Sequence, residues 1–128
     1  MIHHDILIVG SGVMGVALAN SIDSDKLSIG IIESNPQLSL SKRHLSINQK
    51  SLNFLKDLDV WKKIESCAYP YRKIKVWDQE GSGYIEFDSK EVDIDVLGHI
   101  VSEGNIQKRL IDNLENKKVN FYWDNKLL

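Results

Sequence analysis

Hydrophobic and polar positions follow two different patterns along this chain. Near the N-terminus, two short runs are apolar at almost every position, residues 6–9 and 29–32, with a stretch of small and apolar residues between them. Strands that are apolar on both faces are typical of a parallel sheet covered on both sides. We therefore predict a strand over 5–9, a helix over 13–22 and a second strand over 27–33.

The middle of the chain combines a polar stretch, a helical pattern and an alternating pattern. Residues 34–44 are mostly polar and predict a loop. Leucines at helical spacing predict an amphipathic helix over 48–58, with Asn48 as its N-cap. Polar and apolar residues alternate over 73–78, which predicts a half-exposed antiparallel strand with 84–87 as its hairpin partner.

The last third returns to the pattern of a nucleotide-binding unit. Residues 88–97 are polar and predict an irregular segment. Ile106, Leu110 and Leu114 mark a second amphipathic helix, and 119–123 reads as a further strand. The predicted fold class is α/β: a Rossmann-like βαβ unit with an inserted antiparallel hairpin, truncated before the rest of the fold.

A glycine-rich turn, Gly10-Ser11-Gly12-Val13-Met14-Gly15, joins the first strand to the first helix. This GxGxxG spacing suits a nucleotide pyrophosphate: Gly10 permits the tight turn, Gly12 leaves room for a phosphate, and Gly15 lets the helix pack closely on the sheet. The helix directs its first N–H groups, at Val13 and Met14, and its positive dipole end towards the phosphates.

An acidic residue, Glu33, ends the second predicted strand about 20 residues beyond the glycine turn, where the ribose-binding acid of a dinucleotide site belongs. Its carboxylate can accept hydrogen bonds from both ribose hydroxyls and would repel a 2′-phosphate. The pocket therefore favours FAD or NAD over NADP. The alternative is a strand–turn–helix connection whose glycines serve packing alone.

Composition narrows the class of protein further. The chain has 128 residues, and 16 Lys and Arg against 18 Asp and Glu give a formal net charge of −2, which offers no indication of a nucleic-acid partner. No apolar run approaches the roughly 18 residues that span a bilayer. The single cysteine, Cys67, excludes an internal disulfide and suits a reducing cytoplasm. His3 and His4 lack further ligands at suitable spacing, so no metal site is predicted.

Four regions in order resemble the N-terminal third of the flavin-dependent aromatic hydroxylases, above all the ubiquinone-biosynthesis hydroxylases. The resemblance covers nearly the whole chain, and its most specific phrase is Gly98-His99-Ile100-Val101. The four regions are residues 5–15; Arg43 with 48–58 and 60–61; 71–73 with 76–78 and 81–83; and 97–101 with Gln107 and Leu110.

This resemblance implies one tightly held FAD, reduced by NADPH or NADH, which reacts with O₂ to hydroxylate an electron-rich aromatic quinone precursor. The cofactor carries the chemistry, so no catalytic side chain is predicted. By the same resemblance, Arg43 lies against the FAD ribose and pyrophosphate, and Gln107 lies near the flavin side. The alternative interpretation is that Arg43 is a solvated charge in a loop and that Gln107 is an ordinary residue on the helix surface.

The chain departs from the family pattern in three respects. Ser102-Glu103-Gly104 stands where the family usually has Glu-Asn-Arg, so we expect this loop to contact flavin or partner differently. Asp59 replaces a usual glycine, which affects a turn rather than chemistry. Family members are also much longer and carry a later FAD-contacting Asp-Gly motif. We therefore expect an N-terminal fragment of an FAD-binding domain over 1–128, weak or inactive alone, with 70–97 beginning the substrate-covering sheet.

Two other functions stay open at this point. An NAD-dependent dehydrogenase domain would also use Gly10, Gly12, Gly15 and Glu33, although the predicted hairpin argues against it. A non-catalytic chain that binds other ubiquinone-biosynthesis proteins through its sheet edge is the third hypothesis. The resemblance is compatible with a cytoplasmic protein peripheral to the inner membrane.

Overall fold

The parallel β–α–β unit predicted at the N-terminus is present. The computed structural model describes residues 2–37 and 39–127. β1 (Ile6–Val9) leads into α1 (Val13–Ser21), which returns to β2 (Ile29–Ile32), and the two strands pair in parallel with Ile6 opposite Ile29. β8 (Val119–Tyr122) pairs in parallel with the other side of β2, so the strand order is β1-β2-β8.

The segment between β2 and β8 builds a second sheet, which the sequence pattern did not predict. β3 (His44–Asn48) and β4 (Tyr69–Tyr71) both pair antiparallel with the central strand β7 (Gly98–Ser102). The predicted loop therefore ends in a strand at His44, and the Gly-His-Ile-Val phrase is itself a strand. The insertion is larger than a hairpin alone.

Three further helices pack around this sheet. α2 (Gln49–Asp57) has Asn48 as its N-cap, as predicted: the side chain accepts the Ser51 N–H at 2.9 Å. A short α3 (Trp61–Ile64) follows a turn in which Asp59 has φ +56°, the left-handed conformation in which glycine is usual. α4 (Glu103–Leu114) is the predicted second amphipathic helix.

The main core lies between α1, α4 and the parallel sheet. Asn20 ties the two helices together, because its buried side-chain amide donates to the carbonyl oxygens of Val16 and Leu110 at 2.8 and 2.9 Å. A satisfied buried amide fixes the relative position of two helices without an unpaired polar group. The fully buried apolar side chains here include Val16, Ala19, Ile29, Ile31, Leu110 and Leu114.

The prediction that both faces of the parallel sheet are covered is wrong for β1 within the described residues. Ile8 is buried on the core side, whereas Leu7 and Val9 on the opposite face are 49% and 60% exposed. Successive side chains of a strand point to opposite faces, and α1 covers only the face that carries Ile8. The apolar run thus correctly indicated a parallel strand but not a second covering layer.

The predicted hairpin forms a separate two-stranded sheet of β5 (Lys73–Trp77) and β6 (Tyr84–Asp88). Lys73 pairs with Glu86 and Asp88 at 3.4 and 2.9 Å. One face carries exposed apolar side chains at paired positions, namely Ile74, Val76, Ile85 and Phe87. Among the described residues, no helix is long and apolar enough to cross a membrane.

Candidate functional site

The glycine turn between β1 and α1 has the conformation that its sequence predicts. Gly10 has φ +101°, a backbone conformation that residues other than glycine rarely adopt. A Cβ at Gly15 would collide with the carbonyl oxygen of Gly10 and crowd the Ile8 side chain, so helix and strand approach as closely as a glycine allows. Two of the three predicted glycine roles are therefore visible in the backbone.

The N-terminus of α1 is open. Gly12 occupies the N-cap position in an extended conformation and offers no side-chain oxygen to the first turn. The first N–H groups of a helix, here at Val13 and Met14, have no intrahelical partner, and they carry the positive end of the helix dipole. A Cβ built on Gly12 would meet no atom within 4 Å, so the space before these donors is free. This arrangement fits a phosphate group.

Glu33 lies beside that turn and is held by an array of donors. One carboxylate oxygen, Oε2, accepts the backbone N–H and the hydroxyl of Ser11 at 2.8 and 2.9 Å. The other, Oε1, accepts the backbone N–H and side-chain amide of Asn35 at 2.8 and 2.9 Å. Burial alone would raise the pKa of Glu33, but the hydrogen bonds from Ser11 and Asn35 outweigh it and lower the pKa to about 2. Glu33 is therefore a fixed negative charge.

Gln107 connects α4 to the glycine turn. Its side chain is only 8% exposed, and its amide donates to the Ser11 carbonyl oxygen at 2.8 Å. The amide oxygen lies 3.5 Å from the backbone nitrogen of Ser41, which donates to it. The interpretation of Gln107 as a helix-surface residue is wrong, because the side chain is buried against the turn.

Arg43 forms an ion pair across the same region. Its Nε and Nη2 donate to Glu103 Oε2 and Oε1 at 2.9 and 3.0 Å, and the Ser41 hydroxyl also donates to Glu103. These hydrogen bonds, that from Arg43 first, lower the pKa of Glu103. The Arg43 side chain is largely exposed and ion-paired with Glu103, and its contact with the FAD ribose and pyrophosphate stays a prediction.

These groups surround one cleft of about 300 Å³. The predicted residues Gly12, Glu33, Arg43 and Gln107 all line it. The predicted residues Gly10, Val13, Met14 and Gly15 shape the adjoining turn and helix end through their backbone. The lining residues not predicted from the sequence are Ser11, Asn35, Pro36, Ser39, Leu40, Ser41, Glu103, Ile111 and Trp123.

Few sequence patterns indicate these additional residues. Ser11 occupies an unrestricted position of the GxGxxG pattern, yet it is 2% exposed and bonds both Glu33 and Gln107. Ser41 and Asn35 stand in a polar segment with no periodicity. Among these residues, only Glu103 was singled out in the sequence, because it lies in the segment that departs from the usual Glu-Asn-Arg of the family.

The donor and acceptor set of the cleft fits the ADP half of a dinucleotide. The open helix end offers N–H donors to a diphosphate, and Arg43 offers a planar cation. Both Glu33 oxygens already accept hydrogen bonds, so ribose hydroxyls would replace donors such as the Ser11 hydroxyl or the Asn35 amide.

Other candidate residues lie away from this cleft. His99 is half-buried with its ring edge-on to Trp61, at 5.0 Å between ring centroids, which is a packing arrangement. His4 bonds the Tyr122 hydroxyl at 2.7 Å on the far side of the sheet. Cys67 is exposed beyond α3. Within the described ranges, no group of three or more His, Cys, Asp or Glu side chains could hold a metal ion.

A parallel β–α–β unit with a glycine turn, an open helix N-terminus and an acid after the second strand defines the dinucleotide-binding class of α/β proteins. Residues 3–128 match the family described as "FAD binding domain". The chain therefore belongs to this family of FAD-binding domains.

Similar proteins include enzymes of quinone biosynthesis. The chain is 30% identical over 122 residues to the 3-demethoxyubiquinol 3-hydroxylase of Escherichia coli K12, covering 87% of this chain and 30% of that protein. It is 27% identical over 131 residues to the ubiquinone hydroxylase UbiM of Neisseria meningitidis, covering 92% of this chain and 28% of that protein. The chain thus spans less than a third of these relatives.

Solved structures with the same fold include two larger oxygenases. The flavin-dependent monooxygenase PieE, solved with FAD and substrate, superposes with a TM-score of 0.74 at 12% identity, over 96% of this chain and 24% of that one. The 2-methyl-3-hydroxypyridine-5-carboxylic acid oxygenase gives a TM-score of 0.71 at 11% identity, over 93% of this chain and 31% of that one. At such identities the likeness concerns the fold.

Proposed function

We propose that this chain binds the ADP half of FAD within a monooxygenase that hydroxylates an aromatic ubiquinone precursor, with NADH or NADPH as electron donor and O₂ as oxidant. The observation that carries the proposal is that Gly12, the N-cap of α1, and Glu33 line the same cleft. Membership of the FAD-binding domain family and the hydroxylase activities for which the relatives are named support it.

In this proposal each part of the cleft binds one part of the cofactor. The N–H groups of Val13 and Met14 donate to the diphosphate, and Gly12 leaves the approach open. Glu33 accepts the ribose hydroxyls, and its negative charge disfavours a 2′-phosphate. Arg43 balances phosphate charge, and Gln107 keeps the glycine turn in place through the Ser11 carbonyl. FAD, when bound, supplies the redox chemistry of hydroxylation.

The hairpin supports the proposed division of the chain, with 1–128 as the N-terminal part of the FAD-binding domain and 70–97 as the start of a substrate-covering sheet. Ile74, Val76, Ile85 and Phe87 form an exposed apolar face on β5 and β6. An apolar face of this kind suits an aromatic, hydrophobic substrate or a further layer of sheet. We also propose that the protein lies at the surface of the inner membrane and contacts other ubiquinone-biosynthesis proteins.

Calorimetric titration of the chain with ADP, FAD, NAD⁺ and NADP⁺ tests the proposed function. We expect ADP and FAD to bind competitively, and NADP⁺ to bind about tenfold or more weakly than FAD because a 2′-phosphate faces Glu33. Tighter binding of NAD⁺ than of FAD would favour the dehydrogenase hypothesis. Binding of no nucleotide would favour the non-catalytic interaction protein.

Turnover is a separate measurement. The FAD-loaded chain, supplied with NADH or NADPH, O₂ and a substituted phenol, should show weak or no hydroxylation alone, because the cleft that carries the proposal provides binding groups for the ADP half of FAD. Efficient hydroxylation by these 128 residues would contradict that part of the proposal.

A further inference from the structure

The charge balance of the cleft is unusual for a site that would hold a diphosphate. Among the described residues that line it, Glu33 and Glu103 carry negative charge, and Arg43 is the only Lys or Arg. Arg43 is engaged in a two-point pair with Glu103, through Nε and Nη2 at 2.9 and 3.0 Å. The group best suited to a phosphate is therefore already bound to a carboxylate of the same chain.

Glu103 is held firmly in this position. It lies in the first turn of α4, its side chain is only 12% exposed, and its backbone N–H donates to the Arg43 carbonyl oxygen at 2.9 Å. The Ser41 hydroxyl donates to the Glu103 carboxylate. The next residue of α4 is Gly104. A Cβ there would crowd the Ser41 carbonyl oxygen, so only a glycine lets the segment that contains Ser41 lie so close to α4. The Arg43 side chain by contrast is 77% exposed.

We propose that Glu103 competes with the ligand diphosphate for Arg43 and so sets the affinity of the cleft for diphosphate-containing ligands. Binding a diphosphate requires the guanidinium to exchange the carboxylate for phosphate oxygens, and the negative charge of Glu103 then remains near the ligand without its cationic partner. The inference rests on the proposed function, since it assumes that the cleft takes the ADP half of FAD. It makes Glu103 a specificity-determining residue that weakens binding.

The test compares ADP with adenosine in calorimetric titrations of the whole chain. Glu103→Gln removes the charge but keeps an oxygen that can accept from Ser41. We expect its Kd for ADP to fall about threefold or more, the scale of a partly exposed ion pair, while its Kd for adenosine stays unchanged. The matched control Glu115→Gln removes the same charge from the exposed end of α4 and should change neither Kd.

Two further variants keep the test decisive. Glu103→Asp retains the charge but shortens the reach to Arg43, so it should also bind ADP more tightly than the wild type, and it replaces Glu103→Gln if that variant does not fold. In an Arg43→Gln background, Glu103→Gln should increase the affinity for ADP by less than it does in the wild-type background. An unchanged or weaker affinity of both Glu103 variants for ADP, or an equal change for adenosine, would overturn the inference.

The outcome for the wild-type chain separates the two proposals. If wild type binds ADP but neither Glu103 variant binds it more tightly, the competition is refuted while the proposed function stands. If wild type and variants alike bind neither ADP nor FAD, the proposed function fails and the competition fails with it.

Discussion

Glu33 accepts two hydrogen bonds from Ser11, one from the backbone N–H at 2.8 Å and one from the hydroxyl at 2.9 Å. The end of β2 is thereby tied to the glycine turn that follows β1. One carboxylate thus serves the fold and the cleft together, since it shapes the turn that opens α1 and faces the space where a ribose would lie.

Acid should weaken the fold through Glu33. Its pKa is about 2 in the folded chain against an ordinary value of 4.5, so the stabilisation is complete above about pH 4.5 and is lost as pH falls towards 2. We expect this carboxylate to contribute about 1–3 kcal/mol, with solvent screening reducing the full linkage value. Urea unfolding between pH 7 and pH 2.5 measures it. Glu33→Gln should flatten this part of the profile, and an unaltered slope would count against the assignment.

Glu33 should also govern the choice between nucleotides. Glu33→Gln removes the negative charge that faces the ribose, so the preference of the chain for NAD⁺ over NADP⁺ should narrow by about tenfold. Titration of both nucleotides into wild type and variant gives the ratio. Glu80→Gln, in the exposed hairpin turn, is the charge-matched control and should leave the ratio unchanged.

Gly15 should be intolerant of even one methyl group. Gly15→Ala places a Cβ against the Gly10 carbonyl oxygen and the Ile8 side chain, and we expect a loss of about 1–3 kcal/mol in the free energy of unfolding. Gly83→Ala is the matched control: a Cβ there meets no atom within 4 Å, so its stability should change by less than about 1 kcal/mol. Equal effects of the two substitutions in thermal unfolding would contradict the close packing at Gly15.

Gln107 should be required for the glycine turn. Gln107→Leu keeps the volume but leaves the buried Ser11 carbonyl oxygen without its donor, at an expected loss of about 1–3 kcal/mol in unfolding free energy. Gln49→Leu, on the exposed face of α2, controls for the loss of an amide and should have little effect. Urea unfolding of both variants measures the difference. A Gln107→Leu variant as stable as Gln49→Leu would show that Gln107 is not required for the glycine turn.

Much of the nucleotide-binding unit was predictable because its signals are local. The apolar runs of β1 and β2, the GxGxxG turn and the Asn48 cap each depend on a few neighbouring residues, and the structure confirms their positions. β3 and β7 were missed because their pairing joins residues far apart in sequence, such as Leu45 with Val101. Short strands of this kind are stabilised by their partners rather than by their own pattern.

The candidate site was predictable to the extent that a motif marked it. Gly12, Glu33, Arg43 and Gln107 converge on one cleft, although only the first two follow from spacing, and the other two entered through the family resemblance. The partners that orient them, Ser11, Ser41 and Glu103, have no periodic signal because their role depends on tertiary contact. Their part in binding stays a prediction.

Calorimetric titration of FAD and ADP into wild type and Gly12→Val tests whether the cleft beside α1 binds the ADP half of FAD. The Gly12 position has φ −60° and open space around its Cβ, so the variant should fold with an unchanged Tm while its side chain blocks the phosphate approach to α1. We predict that wild type binds both ligands and that Gly12→Val loses at least about tenfold in affinity for each. Equal binding by the folded variant, or no binding by wild type, would contradict binding of the FAD diphosphate at the N-terminus of α1.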